Sequence, residues 1–132
     1  MEEDKTGKVI GAAIEVHRRL GPGLLETTYG HCLALEFQFL GINFERQRSF
    51  PLIYRGIKLE TVFRFDFLVE DSVIVEIKAV EALTPTHVAQ LLTYLRLLNL
   101  KRGLLLNFNM PILKEGIKRV SNDYENSSNA LI

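Results

Sequence analysis

The sequence is short of several features that usually point to a class of protein. Its single cysteine, Cys32, excludes an internal disulfide framework and fits a reducing cytoplasm. No apolar run approaches the roughly 20 residues needed to span a bilayer. The polar start MEEDKTGK is also unlike a secretory signal peptide. We therefore expect a cytoplasmic protein without a membrane partner.

Net charge is lacking as well. Sixteen basic side chains balance sixteen acidic ones, which argues against a protein that coats nucleic acid through bulk electrostatics. A local bias remains, because the segment between Ile42 and Phe65 has only two acids, Glu45 and Glu60. Its five basic residues are Arg46, Arg48, Arg55, Lys58 and Arg64. This bias indicates either a phosphate-facing surface or a solvated strand face.

The length and composition are typical of one globular domain. With 132 residues, 47% of them apolar, the chain can bury a sizeable core. We expect one domain over residues 1–121. The remaining residues, 122–132, form a polar tail of low hydrophobicity that should fray.

Hydrophobic periodicity predicts helices at the start of the chain and strands in its middle. Helical spacing covers residues 5–20 and about 24–40, with Gly-Pro-Gly between them and Gly41 as the terminating residue. Strand-like sequence follows over residues 42–69, with turns at Arg55-Gly56 and at residues 70–72.

The second half predicts a crossover. Thr84 and Pro85 suit the start of a helix to about Asn99, and the apolar RGLLLNF at 102–108 suits an interior strand. Pro111 then begins an expected amphipathic helix with four inward residues: Ile112, Leu113, Ile117 and Val120. A helix between two strands indicates one parallel pair beside an antiparallel meander, hence a mixed α/β sheet flanked by helices.

Two charges interrupt the apolar strand SVIVEIKAV at residues 72–80. Glu76 and Lys78 are two apart, so they point to the same face of the strand. A buried charge is costly unless it is paired, metal-bound or neutralised. These two residues therefore need a partner.

The preceding strand supplies a candidate partner, Asp66. FRFDFLV alternates, with Phe63, Phe65 and Phe67 expected on one face. If residues 70–72 form a three-residue loop, Asp66 lies opposite Glu76 and Arg64 opposite Lys78. A two-residue loop would instead put the two acids on opposite faces.

Two facing carboxylates are destabilising unless a cation lies between them. Carboxylates without Cys or a His cluster favour Mg²⁺ or Mn²⁺ over softer metals. Lys78, on the same face as Glu76, could orient a water or offset charge on a phosphate. The alternative is a structural ion cluster of a Glu76–Lys78 pair and a separate Asp66.

Polar residues also fall on two helix faces that should point inward. In GLLETTY at 23–29, the spacing puts Glu26 and Tyr29 on one face. In QLLTY, Gln90 and Tyr94 are four apart on an otherwise apolar helix. Taken alone, the tyrosines are expected as core aromatics and Gln90 as a capping or surface amide.

Together these residues resemble a known superfamily. Asp66, EIK ten residues on and Gln90-xxx-Tyr94 resemble the PD-(D/E)xK nuclease superfamily, and GLLETTY is similar to the signature of its GxxExxY protein family. Phe65 stands where the superfamily name has proline. The resemblance implies a restriction-endonuclease-like αβββαβ core.

The resemblance also implies roles for site residues. Metal would be held by Asp66, Glu76 and the backbone carbonyl of Ile77, with Lys78 activating water. The rest of the pocket would come from helix residues, namely Glu26, Gln90 and Tyr94. We expect a Mg²⁺-dependent nuclease acting on nucleic acid, with DNA favoured over RNA.

The sequence also leaves an alternative function open and suggests self-association. The alternative function is a non-catalytic nucleic-acid-binding or protein-interaction module that keeps the nuclease fold. The segment VAQLLTYLRLL, residues 88–98, is apolar on nearly every side of its helix, which suggests burial in a homodimer.

Overall fold

The fold is taken from a computed structural model that describes residues 5–123. It opens with two helices, α1 (Lys5–Leu20) and α2 (Glu26–Phe39). Val9, Ala12, Ala13 and Val16 follow the helical spacing of α1 and are all buried. The chain breaks where the glycines were expected to break it, with positive φ at Gly21 and Gly23.

Helix α2 ends as the sequence predicts. Gly41 adopts φ +69°, and its amide donates to the carbonyl of Gln38. The amide of Ile42 donates to the carbonyl of Phe37, so two terminal carbonyls of the helix find partners. The helix begins at Glu26, two residues later than the periodicity predicts, because Gly23 and Leu24 lie in a bend and Leu25, the N-cap residue, is extended.

Seven strands follow, interrupted by one long helix. They are β1 (Phe44–Arg46), β2 (Ser49–Tyr54), β3 (Ile57–Arg64), β4 (Phe67–Val69), β5 (Val73–Lys78), β6 (Arg102–Asn107) and β7 (Ile117–Ser121), with α3 (Pro85–Leu98) between β5 and β6. The main sheet has the order β1-β4-β5-β6-β7, and β2 and β3 form a separate two-stranded sheet. Only the β5–β6 pair of the described sheet is parallel. The predicted mixed α/β sheet flanked by helices is confirmed.

The main sheet separates two hydrophobic clusters. Helices α1 and α2 pack on one face, where Val73, Val75 and Ile77 of β5 point. Helix α3 packs on the other face, against Ile74 of β5 and Leu105 of β6. Strand alternation therefore directs Glu76 and Lys78, which share the face of Ile74, toward α3.

The prediction of a helix after Pro111 was wrong. A short 3₁₀ turn (Leu113–Gly116) leads into β7, which pairs antiparallel with β6. The open edge of β6 offers backbone hydrogen bonds that a helix could not use. Gly116 makes the turn possible, because a Cβ there would collide with the carbonyl oxygen of Asn107. Ile112, expected inside, is exposed.

The apolar surface of α3 is covered by the chain itself. Leu91 and Leu95 are fully buried, while Val88, Leu92 and Leu98 pack against the same cluster. Within the described residues, none of the exposed large apolar side chains belongs to α3. The reason for expecting a homodimer through this helix is thereby removed.

Two remaining expectations concern membranes and the tail. Across residues 5–123, no helix has the length and apolar character required to cross a bilayer. The predicted polar tail lies outside the described residues from residue 124 onwards.

Candidate active site

The β4–β5 hairpin has the register that a three-residue loop predicts. Val69 pairs with Val73 and Phe67 with Val75, so the next position on each side belongs to Asp66 and Glu76. Glu70 and Asp71 occupy the turn with φ of 52° and 56°, the left-handed conformation that tight hairpin turns require. The register thus brings the two carboxylates together.

The strand carrying Asp66 is broken rather than continuous. β3 ends at Arg64, and the chain bends at Phe65 and Asp66 before β4 begins. The amide of Gln47 donates to the carbonyl of Asp66, which fixes the bend from the β1 side. Two predictions are consequently wrong: Arg64 pairs with Ser49, not Lys78, and Phe65 and Phe67 pack in different clusters.

Backbone amides link the carboxylates of Asp66 and Glu76. The amide of Asp66 donates to Oε2 of Glu76 over 2.9 Å, and the amide of Ile77 donates to Oδ2 of Asp66 over 2.7 Å. Glu76 is buried and Asp66 half-buried. In the described part of the chain, neither carboxylate forms an ion pair with a lysine or arginine. A Glu76–Lys78 ion pair, the core of the alternative interpretation, is absent there.

The electrostatics of this pair favour a bound cation. Burial raises the pKa of Glu76 to about 8, and the neighbouring charge of Asp66 pushes it in the same direction. Lys78 acts in the opposite direction but is the weakest of the causes. Because ionising both carboxylates here is unfavourable, a positive ion bound between them would stabilise the ionised pair.

The donor set fits a hard divalent ion. Among residues 5–123, no three His, Cys, Asp or Glu side chains come together as a ligand group. The protein therefore offers two carboxylates, Asp66 and Glu76, and further oxygens must come from backbone, water or substrate. That is how Mg²⁺ is commonly bound, since it retains several waters.

Lys78 ends β5, half-buried, on the same face as Glu76. Its carbonyl accepts from the amide of Phe108 over 2.9 Å. The next residues are held by Asn107, whose Nδ2 donates to the carbonyl of Val80 and whose Oδ1 accepts from its amide. Asn107 is 1% exposed. The sequence analysis did not select Asn107, although a polar side chain within the otherwise apolar segment RGLLLNF could have indicated it.

Glu26 reaches the same strand end from α2. Its Oε2 accepts from the amide of Ala79 over 2.9 Å, directly after Lys78. Glu26 is exposed rather than inside, but it belongs to the first turn of α2 and points at the candidate site. The backbone after Lys78 is thus held from two sides, by Glu26 and by Asn107.

Tyr29, the last residue of GLLETTY, is hydrogen-bonded to the loop before α2. Its hydroxyl donates to the carbonyl of Gly21 over 2.6 Å and accepts from the amide of Leu24 over 3.1 Å. Its ring stacks on Phe108 at 4.5 Å between centroids. Tyr29 therefore closes the loop that delivers Glu26 to the strand end.

Of the two residues on α3, Tyr94 lies near the carboxylates. Burial raises its pKa, as do the charges of Glu76 and Asp66. Its ring meets Phe50 edge-on at 5.8 Å. Gln90 lies one turn earlier on α3 and is exposed, and the structure gives it no hydrogen bond to a site residue within the described chain.

A family model of the PD-(D/E)XK nuclease superfamily matches residues 3–120. The chain belongs to this superfamily. Comparison with curated proteins and with solved structures gave no match. The superfamily's nucleases generally use divalent metals, in agreement with the two carboxylates found here.

The five basic residues fall into two groups in this PD-(D/E)XK domain. Arg46 is half-buried, with its guanidinium 5.7 Å from the ring centre of Phe67. The other four are exposed and lie on or beside the β2–β3 hairpin: Arg48, Arg55, Lys58 and Arg64. Arg48 also pairs with Glu45 over 3.1 Å.

Proposed function

We propose that this protein is a Mg²⁺- or Mn²⁺-dependent nuclease of the GxxExxY branch, acting in the cytoplasm on DNA in preference to RNA. The observation that carries the proposal is the pair of buried Glu76 and half-buried Asp66, which lies beside Lys78 without a basic ion-pair partner in the described chain. A structural ion cluster would have neutralised these carboxylates.

Asp66, Glu76 and the carbonyl of Ile77 would hold the metal. When bound, such an ion stabilises charge on a phosphate and lowers the pKa of a coordinated water. Lys78 extends from the last position of β5 on the face of Glu76, where its ammonium can orient the attacking water and offset negative charge on the phosphorus oxygens.

The residues around this centre keep it in position. Glu26 and Asn107 fix the backbone directly after Lys78. Tyr94 would form the wall on the α3 side, and Gln90, exposed one turn away, would meet substrate rather than metal.

The β2–β3 hairpin is the proposed nucleic-acid surface. β3 runs directly into the bend that carries Asp66, so the end of the hairpin opposite its turn lies at the candidate site. Phe50 and Phe63, at this end of the hairpin, contact the ring of Tyr94. An eight-residue strand extends about 26 Å, enough for Arg55 and Lys58 near the tip to contact phosphates remote from the cut.

Replacement of Lys78 tests the assignment. Lys78→Ala should abolish cleavage while metal still raises the melting temperature, because both carboxylates remain. Lys114→Ala, an exposed lysine in the 3₁₀ turn, is the matched control. Each protein is assayed on single- and double-stranded DNA and RNA with Mg²⁺, Mn²⁺ or chelator.

The same panel separates the proposal from its rival. Cleavage that requires metal and Lys78 supports a nuclease, and the preferred substrate gives the DNA-versus-RNA answer. Wild-type cleavage by Lys78→Ala would remove the chemical role of that residue. Binding of nucleic acid without cleavage under any condition would identify a non-catalytic binding module.

A further inference from the structure

Arg46 is a half-buried arginine for which the described chain supplies no anion. It lies in β1 opposite Phe67, and its guanidinium carbon is 5.7 Å from the centre of that ring. None of the ion pairs formed among residues 5–123 includes Arg46, and no acceptor there forms a hydrogen bond with its guanidinium. The aromatic ring stabilises the cation, but the N–H donors of the guanidinium remain without a protein partner in this part of the chain.

Two glutamates come near Arg46 in the fold, and neither pairs with it. Glu45 precedes it in the chain and pairs with Arg48 over 3.1 Å. Glu26 lies one turn before Gly30 on the same side of α2, and its Oε2 accepts from the amide of Ala79. Arginine stays charged at every physiological pH. A half-buried charge of this kind is stabilised when an anion binds to it.

Gly30 makes room for the guanidinium beneath α2. A Cβ on Gly30 would lie 3.0 Å from Nη2 of Arg46, closer than side chains ordinarily pack, and 3.7 Å from Cδ1 of Ile77. A glycine within a helix costs about 1 kcal/mol relative to alanine, and here it leaves the space that the guanidinium occupies. The guanidinium nitrogens also keep contact with solvent. They are therefore accessible to a ligand.

Arg46 lies at the same end of the sheet as the two carboxylates. It faces Phe67, the residue after Asp66, and the amide of Gln47 donates to the carbonyl of Asp66 over 2.9 Å. Side-chain alternation puts Arg46 on the α2 side of this end of the sheet, whereas Lys78 lies on the α3 side. The candidate metal site thus has one basic residue on each side of the sheet.

We propose that Arg46 binds a phosphate group of the nucleic acid, at the scissile bond or next to it, on the α2 side of the candidate metal site. This inference rests on the proposed nucleic-acid substrate and does not require cleavage. A guanidinium donates two parallel hydrogen bonds to a phosphate, and the phosphate is the anion that Arg46 lacks in the described chain. The nucleic-acid backbone would then run from the β2–β3 hairpin, on the α3 side, across the two carboxylates to Arg46.

Substitutions at position 46 separate phosphate binding from packing. Arg46→Met keeps an apolar stem on Phe67 and removes the charge, so it should raise the dissociation constant for an oligonucleotide about tenfold or more. Arg46→Lys keeps the charge but loses the paired donors, and its affinity should fall between those of Arg46→Met and wild type. Arg102→Met is the control and should bind as wild type does. Arg102 is exposed at the start of β6, the opposite end of the sheet.

Affinity is measured by fluorescence anisotropy in chelator, on 3′-labelled DNA and RNA oligonucleotides that carry or lack a 5′-phosphate. A loss in Arg46→Met confined to oligonucleotides with the 5′-phosphate supports the proposal and identifies a terminal phosphate as the ligand. An equal loss on both kinds supports it and identifies an internal phosphodiester. Arg46→Met that binds as tightly as Arg102→Met overturns the proposal, as does a wild-type protein that binds no oligonucleotide.

A measurement on the wild type covers the case in which Arg46→Met does not fold, which circular dichroism would show. Titration with inorganic phosphate should move the Nε–Hε resonance of Arg46 more than that of Arg102, and equal movement overturns the proposal.

Cleavage assays keep this inference apart from the nuclease proposal. Binding that depends on Arg46, with no cleavage under any condition, removes the nuclease assignment and supports the role of Arg46. Metal-dependent cleavage by Arg46→Met with the KM of wild type removes the role of Arg46 alone.

Discussion

The amide of Asp66 donates to Oε2 of Glu76 over 2.9 Å, and the amide next to Glu76, that of Ile77, donates to Oδ2 of Asp66 over 2.7 Å. Each carboxylate is therefore fixed by a backbone amide of the facing segment. Backbone donors hold the two groups close, so ionising both of them costs free energy, and a cation would relieve that cost.

Replacement of Asp66 by asparagine should leave the metal-free protein as stable as wild type or more so. Asparagine keeps an oxygen that can accept from the amide of Ile77, but it removes the Asp66 charge that opposes ionisation of Glu76. Metal should stabilise wild type by about 2.7 kcal/mol at a hundredfold excess over its dissociation constant, and the variant should lose most of this gain.

Thermal melts with chelator and with Mn²⁺ measure both effects. Asp123→Asn, an exposed aspartate, is the control and should retain the full metal shift. The metal assignment is wrong if wild type shows no metal-dependent shift while Asp66→Asn melts well below it in chelator.

The stability of the metal-free protein should fall as pH rises. The folded-state pKa of Glu76, about 8, lies above its ordinary value of 4.5, so the folded state binds the proton more tightly than the unfolded state. The resulting stabilisation is complete below about pH 4.5 and is lost as pH rises through about 8.

Urea denaturation at pH 5 and pH 9 in chelator tests this dependence. Glu76→Gln should lose less stability between the two values than wild type, by a few kcal/mol. Glu115→Gln, at an exposed glutamate, should behave like wild type. Parallel curves for wild type and Glu76→Gln would show that Glu76 does not titrate in this range.

Glu26 should act by positioning the backbone after Lys78. Glu26→Ala removes the acceptor for the amide of Ala79 and should lower cleavage about tenfold or more, with stability changed by less than about 0.5 kcal/mol because the side chain is exposed. Glu26→Gln retains an acceptor oxygen and should recover most of the rate.

The amide resonance of Ala79 reports the same contact without substrate. It should shift in Glu26→Ala and remain near its wild-type position in Glu26→Gln. Equal losses of activity in both variants would instead show that the charge of Glu26 is required in the pocket.

The tip of the β2–β3 hairpin should contribute to nucleic-acid affinity through phosphate contacts. Arg55→Asn with Lys58→Gln removes two charges, and asparagine tolerates the positive φ of 49° at position 55. The slope of log affinity against log salt should decrease by about 1.8 for duplex DNA. Lys114→Gln with Lys118→Gln is the control, with charges removed far along the chain from the hairpin.

Affinity is measured in chelator by fluorescence anisotropy, so cleavage does not interfere. An unchanged slope would show that these basic residues belong to a solvated strand face and do not contact phosphates.

Local sequence signals predicted the register that brings Asp66 and Glu76 of the candidate site together. The length of the loop between Val69 and Val73 fixes the hairpin register, and the register fixes Asp66 beside Glu76. The break before β4 was not predictable from alternation, because the phenylalanines at 63, 65 and 67 fit one continuous face equally well. The bend arises because β3 pairs with β2, outside the main sheet.

Contacts between distant segments were harder to predict. The bonds of Asn107 to Val80 and of Glu26 to Ala79 join residues 27 and 53 positions apart, and periodicity contains no such information. The final segment was misassigned because ILKEGIKRV suits an amphipathic helix. The free edge of β6 decided otherwise.

The anchoring of Ala79 and Val80 has a consequence for hydrogen exchange. Both residues follow the last residue of β5, where amides would ordinarily exchange at solvent rates. Their acceptors are the side chains of Glu26 and Asn107, so slow exchange there would measure how firmly those side chains are placed. The hydrogen-exchange rates of these two amides would thus report the geometry next to Lys78 in the protein without substrate.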